Sequence, residues 1–170
     1  MTFFLLPMAG SVRGWYMQNM RLSLYQPDIP QNTGTILRMS ACLGLPVDVI
    51  GPAGFDVSDK ALRRSAMDYR TYVDLTRHVS WDVFRESTVQ QGRRLVLLTT
   101  AAKTPYTLFN YRDTDTLMLG RESAGVPQSV REQVDAEVRI PMQPGLRSLN
   151  IAVAAAMVVG EALRQTRPQS

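Results

Sequence analysis

The chain has 170 residues, of which 45% are apolar and 20% are charged, so it suits a single domain with a buried core and is not disordered by composition. The formal net charge of +4 arises from 17 Arg and 2 Lys against 15 acidic residues, and this excess of arginine permits a nucleic-acid partner without requiring one. With one cysteine and one histidine, a disulfide within the chain is excluded and a Cys/His zinc site is disfavoured.

Residues 1–19 differ from the rest of the sequence because they contain no acidic residue and a single basic one, Arg13. Their apolar run is short, lacks a leading positive charge and contains Pro7, which favours a flexible extension over a secretion signal. The domain itself is predicted to span residues 20–167. The apolar run at 151–159 is far shorter than the ~20 residues that a membrane helix needs, so we expect a soluble, cytoplasmic protein.

Short β-branched runs alternate with helical patterns along the chain. In chain order, these patterns predict a strand at 21–25, a helix at 32–44, a strand at 46–52, a helix at 58–66, a strand at 71–75, a helix at 81–92, strands at 93–100 and 115–120, a helix at 127–136, a strand at 137–142 and a helix at 148–165. Such alternation is typical of an α/β domain with a mainly parallel sheet flanked by helices.

Three loops follow the late strands and read "LLTTAAKTP" (97–105), "LGRESAGVP" (119–127) and "PMQPGLRSLN" (141–150). In a parallel sheet such loops emerge at one carboxyl edge, where ligands usually bind. Ordinary turn chemistry explains each loop equally well. The turn after the first strand, "YQPDIPQNTG", lacks a dinucleotide-binding glycine motif, and no phosphate-binding P-loop sequence is present.

The lone cysteine and the lone histidine are both interpreted as structural residues. Cys42 lies in "MSACLGL" and is predicted to be a small buried residue rather than a nucleophile. His78 lies in "LTRHVSWD" and is predicted to be a surface or capping residue, since no neighbouring groups suggest a catalytic triad.

Three segments carry a family resemblance: "PQNTGTILRMS", "LMLGRESAGVP" and "RIPMQPGLRSLNIAVAAAMVVGEALRQ". In this order and spacing they resemble the signature motifs of the SpoU branch of the SPOUT methyltransferases, from Met20 to about residue 165. The local sequences "YQPDIPQNTGTILR", "DKALRRSAMDY" and "LTRH" are similar to those of its small members that act on cytidine or uridine 34 of tRNA.

The resemblance implies a parallel α/β sheet whose C-terminal part forms a deep trefoil knot, with S-adenosylmethionine held by the knot loops. It also implies a homodimer with an active site across the interface, and methylation of the ribose 2′-oxygen of wobble nucleotide 34 in the tRNA anticodon loop. Two alternatives stay open: methylation at another tRNA or rRNA position, and a non-catalytic RNA-binding dimer on the same fold.

In the first motif, Gly34 and Arg38 are four residues apart and share one face of a helix. By resemblance Arg38 is catalytic; because a guanidinium is essentially never deprotonated, we expect it to orient the 2′-hydroxyl rather than to act as a base. Asn32 is either a catalytic-site residue that fixes nearby backbone or substrate, or the N-cap of the helix.

The second and third motifs supply the other residues that the resemblance assigns. Catalytic roles fall on Ser148 and Asn150, although Ser148 is also a candidate N-cap of the last helix. Cofactor contacts are expected from Leu98, Thr99, Gly120, Glu122, Ile140, Met142 and Ser148. Arg121 replaces a proline that is frequent at this position in the close relatives.

The segment "DKALRRSAMDYR" is the predicted RNA contact, through Arg63, Arg64 and Tyr69. A solvated helix face is the simpler interpretation of such a run. No metal is expected, because the sulfonium of S-adenosylmethionine is already an activated methyl donor and the sequence shows no cluster of metal-ligating residues.

Overall fold

The computed structural model describes residues 19–55 and 72–167. Three predictions fall outside these ranges: the 1–19 extension except for Asn19, the helix at 58–66, and the RNA contact at Arg63, Arg64 and Tyr69.

Six strands of the described ranges form one sheet in which every neighbouring pair is parallel. The strands are β1 (Arg21–Tyr25), β2 (Val47–Ile50), β3 (Leu75–His78), β4 (Leu95–Leu98), β5 (Thr116–Leu119) and β6 (Ala136–Val138). Their order across the sheet is β3-β2-β1-β5-β4-β6. The predicted α/β architecture with a parallel sheet is therefore confirmed.

The helices of the described ranges are α1 (Pro30–Leu43), α2 (Trp81–Gln90), α3 (Gln128–Arg131) and α4 (Ile151–Thr166), with a 3₁₀ turn at Tyr106–Leu108. Three elements differ from their predicted bounds by four residues or more. The third strand starts at Leu75, where it begins to pair with Val47 of β2, rather than at residue 71. The last strand ends at Val138 rather than residue 142, and α3 is a single turn rather than ten residues.

The helix α1 begins at Pro30 and ends at Leu43, with Gly44 as its C-cap and Ile29 as an N-cap that makes no side-chain capping bond. Proline suits this first turn because the N–H that it lacks would have no partner within the helix. Asn32 therefore lies inside the first turn, and its interpretation as the N-cap is wrong. The helix buries Ile36 and Leu37 against the sheet.

The helix α4 is capped by Asn150, whose Oδ1 accepts hydrogen bonds from the N–H of Ala152 at 2.9 Å and of Val153 at 3.4 Å. The alternative in which Ser148 is the cap is therefore wrong. One face of α4 packs on the sheet and on α1, whereas Val153 is 50% exposed. No helix in the described ranges is long and apolar enough to cross a membrane.

His78 is not a surface or capping residue, because its side chain is only 9% exposed. Its Nε2 lies 2.9 Å from Oδ1 of Asp48, and the other carboxylate oxygen, Oδ2, accepts from Nε of Arg21 at 2.7 Å. This polar group lies between the sheet and α2, beside the ring of Phe84. The burial of His78 was not predicted because the alternating pattern of a strand does not show that Asp48, 30 residues earlier, is its partner.

Cys42 is exposed, so its predicted burial is wrong. The buried side of α1 is formed by Thr33, Gly34, Ile36, Leu37 and Ser40. Cys42 lies one turn after Arg38 on the opposite, solvent-facing side of the helix.

Candidate active site

A cavity of about 700 Å³ opens at the carboxyl edge of the sheet, beyond the ends of β4, β5 and β6. The three late loops all line it, which confirms that they meet at one edge. It gathers nine residues that the sequence predicted for the site: Asn32, Leu98, Thr99, Gly120, Glu122, Ile140, Met142, Ser148 and Asn150. Segments that are far apart in sequence therefore line one continuous pocket.

Gly120 follows β5 directly and lies very close to the backbone of Gly125. A Cβ placed on it would lie 2.7 Å from the carbonyl carbon of Gly125 and 2.8 Å from its Cα. The two chain segments are held together because Arg121 and Gly125 exchange backbone N–H···O bonds of 2.9 Å each. A side chain at position 120 would force this turn open.

We expect Gly120→Ala to destabilise the chain by about 1–3 kcal/mol, the usual cost of overpacking, and to abolish the S-adenosylmethionine binding that the family resemblance implies. Chemical unfolding and titration calorimetry measure the two effects. Gly92→Ala is the matched control: its φ of +62° makes alanine costly, yet it lies at the end of α2, away from the cavity. Equal loss of binding in both variants would contradict the expectation.

Glu122 is the centre of a hydrogen-bond chain that joins three segments of the site. Its Oε1 accepts from Nδ2 of Asn32 at 3.3 Å, and its Oε2 accepts from the backbone N–H of Asp28 at 3.1 Å. Asn32 Oδ1 in turn accepts from Nδ2 of Asn150 at 3.0 Å. Because Asn150 also caps α4, the start of the last helix is held against the first turn of α1.

The two carboxyl groups of this network differ in acidity. Burial raises the pKa of Glu122, and the interaction between its carboxyl group and that of the Asp28 side chain acts in the same direction. The bond with Glu122 lowers the pKa of Asp28, and Ser123 lowers it further. As pH rises, Asp28 therefore ionises first and Glu122 keeps its proton longer.

Among the predicted site residues that the structure describes, Arg38 is the one that does not line the cavity. It lies on the exposed side of α1, whereas Asn32 of the same helix faces the cavity. The resemblance implies a site that is completed by a second copy, and the position of Arg38 on an outer helix face is compatible with that arrangement.

Two arginines that were not predicted as site residues, Arg131 and Arg147, also line the cavity. Arg131 forms an ion pair with Glu137 and so has a structural partner. Arg147 is exposed and makes no ion pair within residues 19–55 and 72–167. Its position directly before Ser148 in the third motif could have indicated from sequence that it lies at the site.

The lining fits a ligand with an apolar body and polar ends, such as S-adenosylmethionine. Pockets for ligands of this size span about 300–1,000 Å³. The walls combine the apolar Leu98, Ile140 and Met142 with the polar Thr99 and Ser148. In the described ranges no backbone hydrogen bond involves Ile140 or Met142, which leaves their amide groups available to a flat heterocyclic edge.

The sequence profile of the SpoU rRNA Methylase family matches residues 19–160. The chain belongs to the SpoU methylase family. A relative from Beijerinckia indica, a tRNA (cytidine(34)-2′-O)-methyltransferase, is 60% identical over 144 residues, which cover 85% of this chain and 90% of the relative.

Two solved structures are also similar. One, described as concerning 2-OH methylation of C/U34 on tRNA, has a TM-score of 0.81 at 38% identity, with 86% of this chain and 95% of that chain covered. The other is the SpoU methyltransferase AviRb from Streptomyces viridochromogenes in complex with AdoMet, with a TM-score of 0.78 at 27% identity and coverage of 93% and 63%.

Proposed function

We propose that this SpoU-family chain is an enzyme that uses S-adenosylmethionine to methylate the ribose 2′-oxygen of nucleotide 34, a cytidine or uridine, in the tRNA anticodon loop. The observation that carries the proposal is that all three sequence motifs contribute residues to one cavity. The chain that brings them together is 60% identical to a tRNA (cytidine(34)-2′-O)-methyltransferase. Residues 20–167 form the methyltransferase domain in this proposal, and such an enzyme works in the cytoplasm, where tRNA resides.

Within the cavity, Leu98, Thr99, Gly120, Ile140 and Met142 hold the cofactor, and the apolar members of this set exclude water from it. When bound, S-adenosylmethionine supplies a methyl group on a positively charged sulfur, which is the activated form needed for transfer to a hydroxyl oxygen. The main contribution of the protein is then to position the hydroxyl in line with that group.

Positioning is the role that we assign to Asn32, Glu122, Ser148 and Asn150. Glu122 fixes the amide of Asn32, and Asn32 fixes that of Asn150, so the polar wall has a defined orientation. Ser148 lies on the loop that enters α4 and presents a hydroxyl to the same cavity. These side chains are arranged before substrate binds, which limits the reorganisation needed during transfer.

We further propose that the chain forms a homodimer and that Arg38 reaches the cavity of the second copy. Support comes from large apolar side chains left exposed beside the cavity: Ile29 is 40%, Leu149 is 41% and Val153 is 50% exposed. Burial of such a patch against its own copy removes apolar surface from water. Arg38 then stabilises negative charge that develops on the 2′-oxygen, and an RNA phosphate takes the proton.

The trefoil knot belongs to the same proposal. Two sets of contacts support it. Arg139, just after β6, pairs with the chain at Thr104 and Tyr106 through bonds of 2.9 and 2.8 Å. Farther on, the Gln165 side chain bonds the backbone of Phe109 and Tyr111 at 3.0 Å each. The last segment therefore contacts the 104–111 segment at two separate points.

We assign tRNA contact to Arg63, Arg64 and Tyr69, in keeping with the basic composition of their segment. Arg147 adds a cation at the cavity, where a phosphate of the anticodon loop is a suitable partner.

The function is tested by incubation of the protein with methyl-labelled S-adenosylmethionine and unmodified tRNAs, followed by mapping of the label. The expected result is a 2′-O-methyl group on nucleotide 34 of at least one isoacceptor. Absence of label at nucleotide 34 in every isoacceptor would overturn the assignment. Label in rRNA or at another tRNA position would instead favour the alternative target that the sequence left open.

A further inference from the structure

Asp28 lies in the turn between β1 and α1 and does not line the cavity, yet it holds the loop that carries Glu122. Its Oδ1 accepts from the backbone N–H of Glu122 at 3.2 Å, and its Oδ2 accepts from the hydroxyl of Ser123. Arg121 Nε lies 3.9 Å from the same Oδ2. The carboxylate of Asp28 thus contacts three consecutive residues of one turn.

The contact between the two segments is reciprocal. The backbone N–H of Asp28 donates to Oε2 of Glu122, while the backbone N–H of Glu122 donates to Oδ1 of Asp28. A pair of bonds in opposite directions fixes both the position and the rotation of one segment relative to the other. It leaves Oε1 of Glu122 free to accept from Asn32.

The turn that presents Asp28 is itself held in place. Gln26 has a φ of +43°, an unusual value for a residue other than glycine, and its N–H donates to the carbonyl of Ile50 at 2.8 Å. Pro27 accepts from the N–H of Gly54 at 2.9 Å. In contrast, Ser123 to Gly125 are exposed, so the Glu122 loop depends on contacts such as those of Asp28 for its position.

We infer that Asp28 is a positioning residue: it fixes the Arg121–Ser123 turn and thereby the orientation of Glu122, Asn32 and Asn150 in the cavity. The inference rests on the proposed methyl transfer for its effect on rate, but its structural part concerns this chain alone. Misplacement of reacting groups by about 1 Å costs on the order of 100-fold in rate.

The kinetic test compares Asp28→Ala, Asp28→Asn and the unchanged protein with tRNA. We expect Asp28→Ala to lower kcat about 30- to 100-fold while KM for tRNA changes less than about 3-fold, because Asp28 does not line the cavity. Asp28→Asn keeps one acceptor for the N–H of Glu122 and recovers part of kcat. The control is Asp113→Ala, an exposed acid before β5 at the opposite edge of the sheet.

A second measurement does not depend on activity. The side-chain amide signals of Asn32 in a ¹H–¹⁵N spectrum, assigned with an Asn32→Ser variant, report its bond to Glu122. They shift in Asp28→Ala, shift less in Asp28→Asn and stay in place in Asp113→Ala. Unmoved Asn32 signals in folded Asp28→Ala overturn the inference, as does an unchanged kcat.

Failure of the proposed function is recognised separately, because the unchanged protein then transfers no methyl group to tRNA while the Asn32 signals still respond to Asp28. If Asp28→Ala does not fold, the same two measurements on Asp28→Asn decide: wild-type kcat together with wild-type Asn32 signals rejects the positioning role.

Discussion

An Arg38→Ala variant is expected to lose methyl transfer to tRNA by about 100- to 1,000-fold while it retains its fold and its affinity for S-adenosylmethionine. The reason is that Arg38 lies outside the cavity of its own chain, so its removal leaves the cofactor walls intact. Single-turnover rates and calorimetry measure the two properties. Full transfer by a folded Arg38→Ala protein would remove Arg38 from the catalytic assignment.

Subunit mixing tests whether Arg38 acts in the site of the second copy. Arg38→Ala and Glu122→Ala are each expected to be inactive alone. After unfolding and refolding together, random pairing makes about half of the dimers mixed, and each mixed dimer has one intact composite site, which restores about a quarter of wild-type activity. No recovery is the result expected if Arg38 and Glu122 act in the same chain.

The second large effect concerns stability, and we expect Asp48→Ala to cost about 3–5 kcal/mol in the free energy of unfolding. Asp48 is 4% exposed and is the acceptor for both Arg21 and His78. The variant leaves Arg21, whose side chain is 16% exposed, as a largely buried cation without its close partner. Urea unfolding at a fixed protein concentration measures the loss.

Asp74→Ala is the matched control, because Asp74 is the second carboxylate near the same arginine. It lies 3.9 Å from Arg21 and its side chain is 72% exposed. Ion pairs of this exposed kind contribute about 0–1 kcal/mol, so the control should unfold close to the wild-type midpoint. A loss in Asp48→Ala no larger than that in Asp74→Ala would contradict the role assigned to the buried carboxylate.

The parts of the fold that could be predicted from sequence are those that local patterns determine. Alternating apolar runs gave the parallel α/β sheet, and the loops after β4, β5 and β6 line one cavity as expected. The family resemblance is confirmed by the match over residues 19–160. The individual roles of the site residues, the dimer and the knot stay predictions, because they depend on partners and threading that local pattern does not encode.

The wrong predictions have more than one physical cause. The environments of His78 and Asn32 are decided by residues far away in sequence: Asp48 is 30 positions from His78, and Glu122 is 90 positions from Asn32. The burial predicted for Cys42 is wrong because apolar neighbours in the sequence do not determine which side of α1 a residue occupies. The contact between Asp28 and Glu122, which are 94 positions apart, could not be inferred for the same reason.

The hydrogen-bond chain through Asn150 has a consequence for how the protein acquires activity. Asn32 and Asn150 are 118 positions apart, and the same side chain of Asn150 also starts α4. Long loops must close before such contacts can form, which makes them late events in folding. A chain whose sheet has formed but whose α4 has not yet docked has every motif in its sequence, but its site is not assembled. Recovery of methyl transfer during refolding therefore indicates that folding is complete.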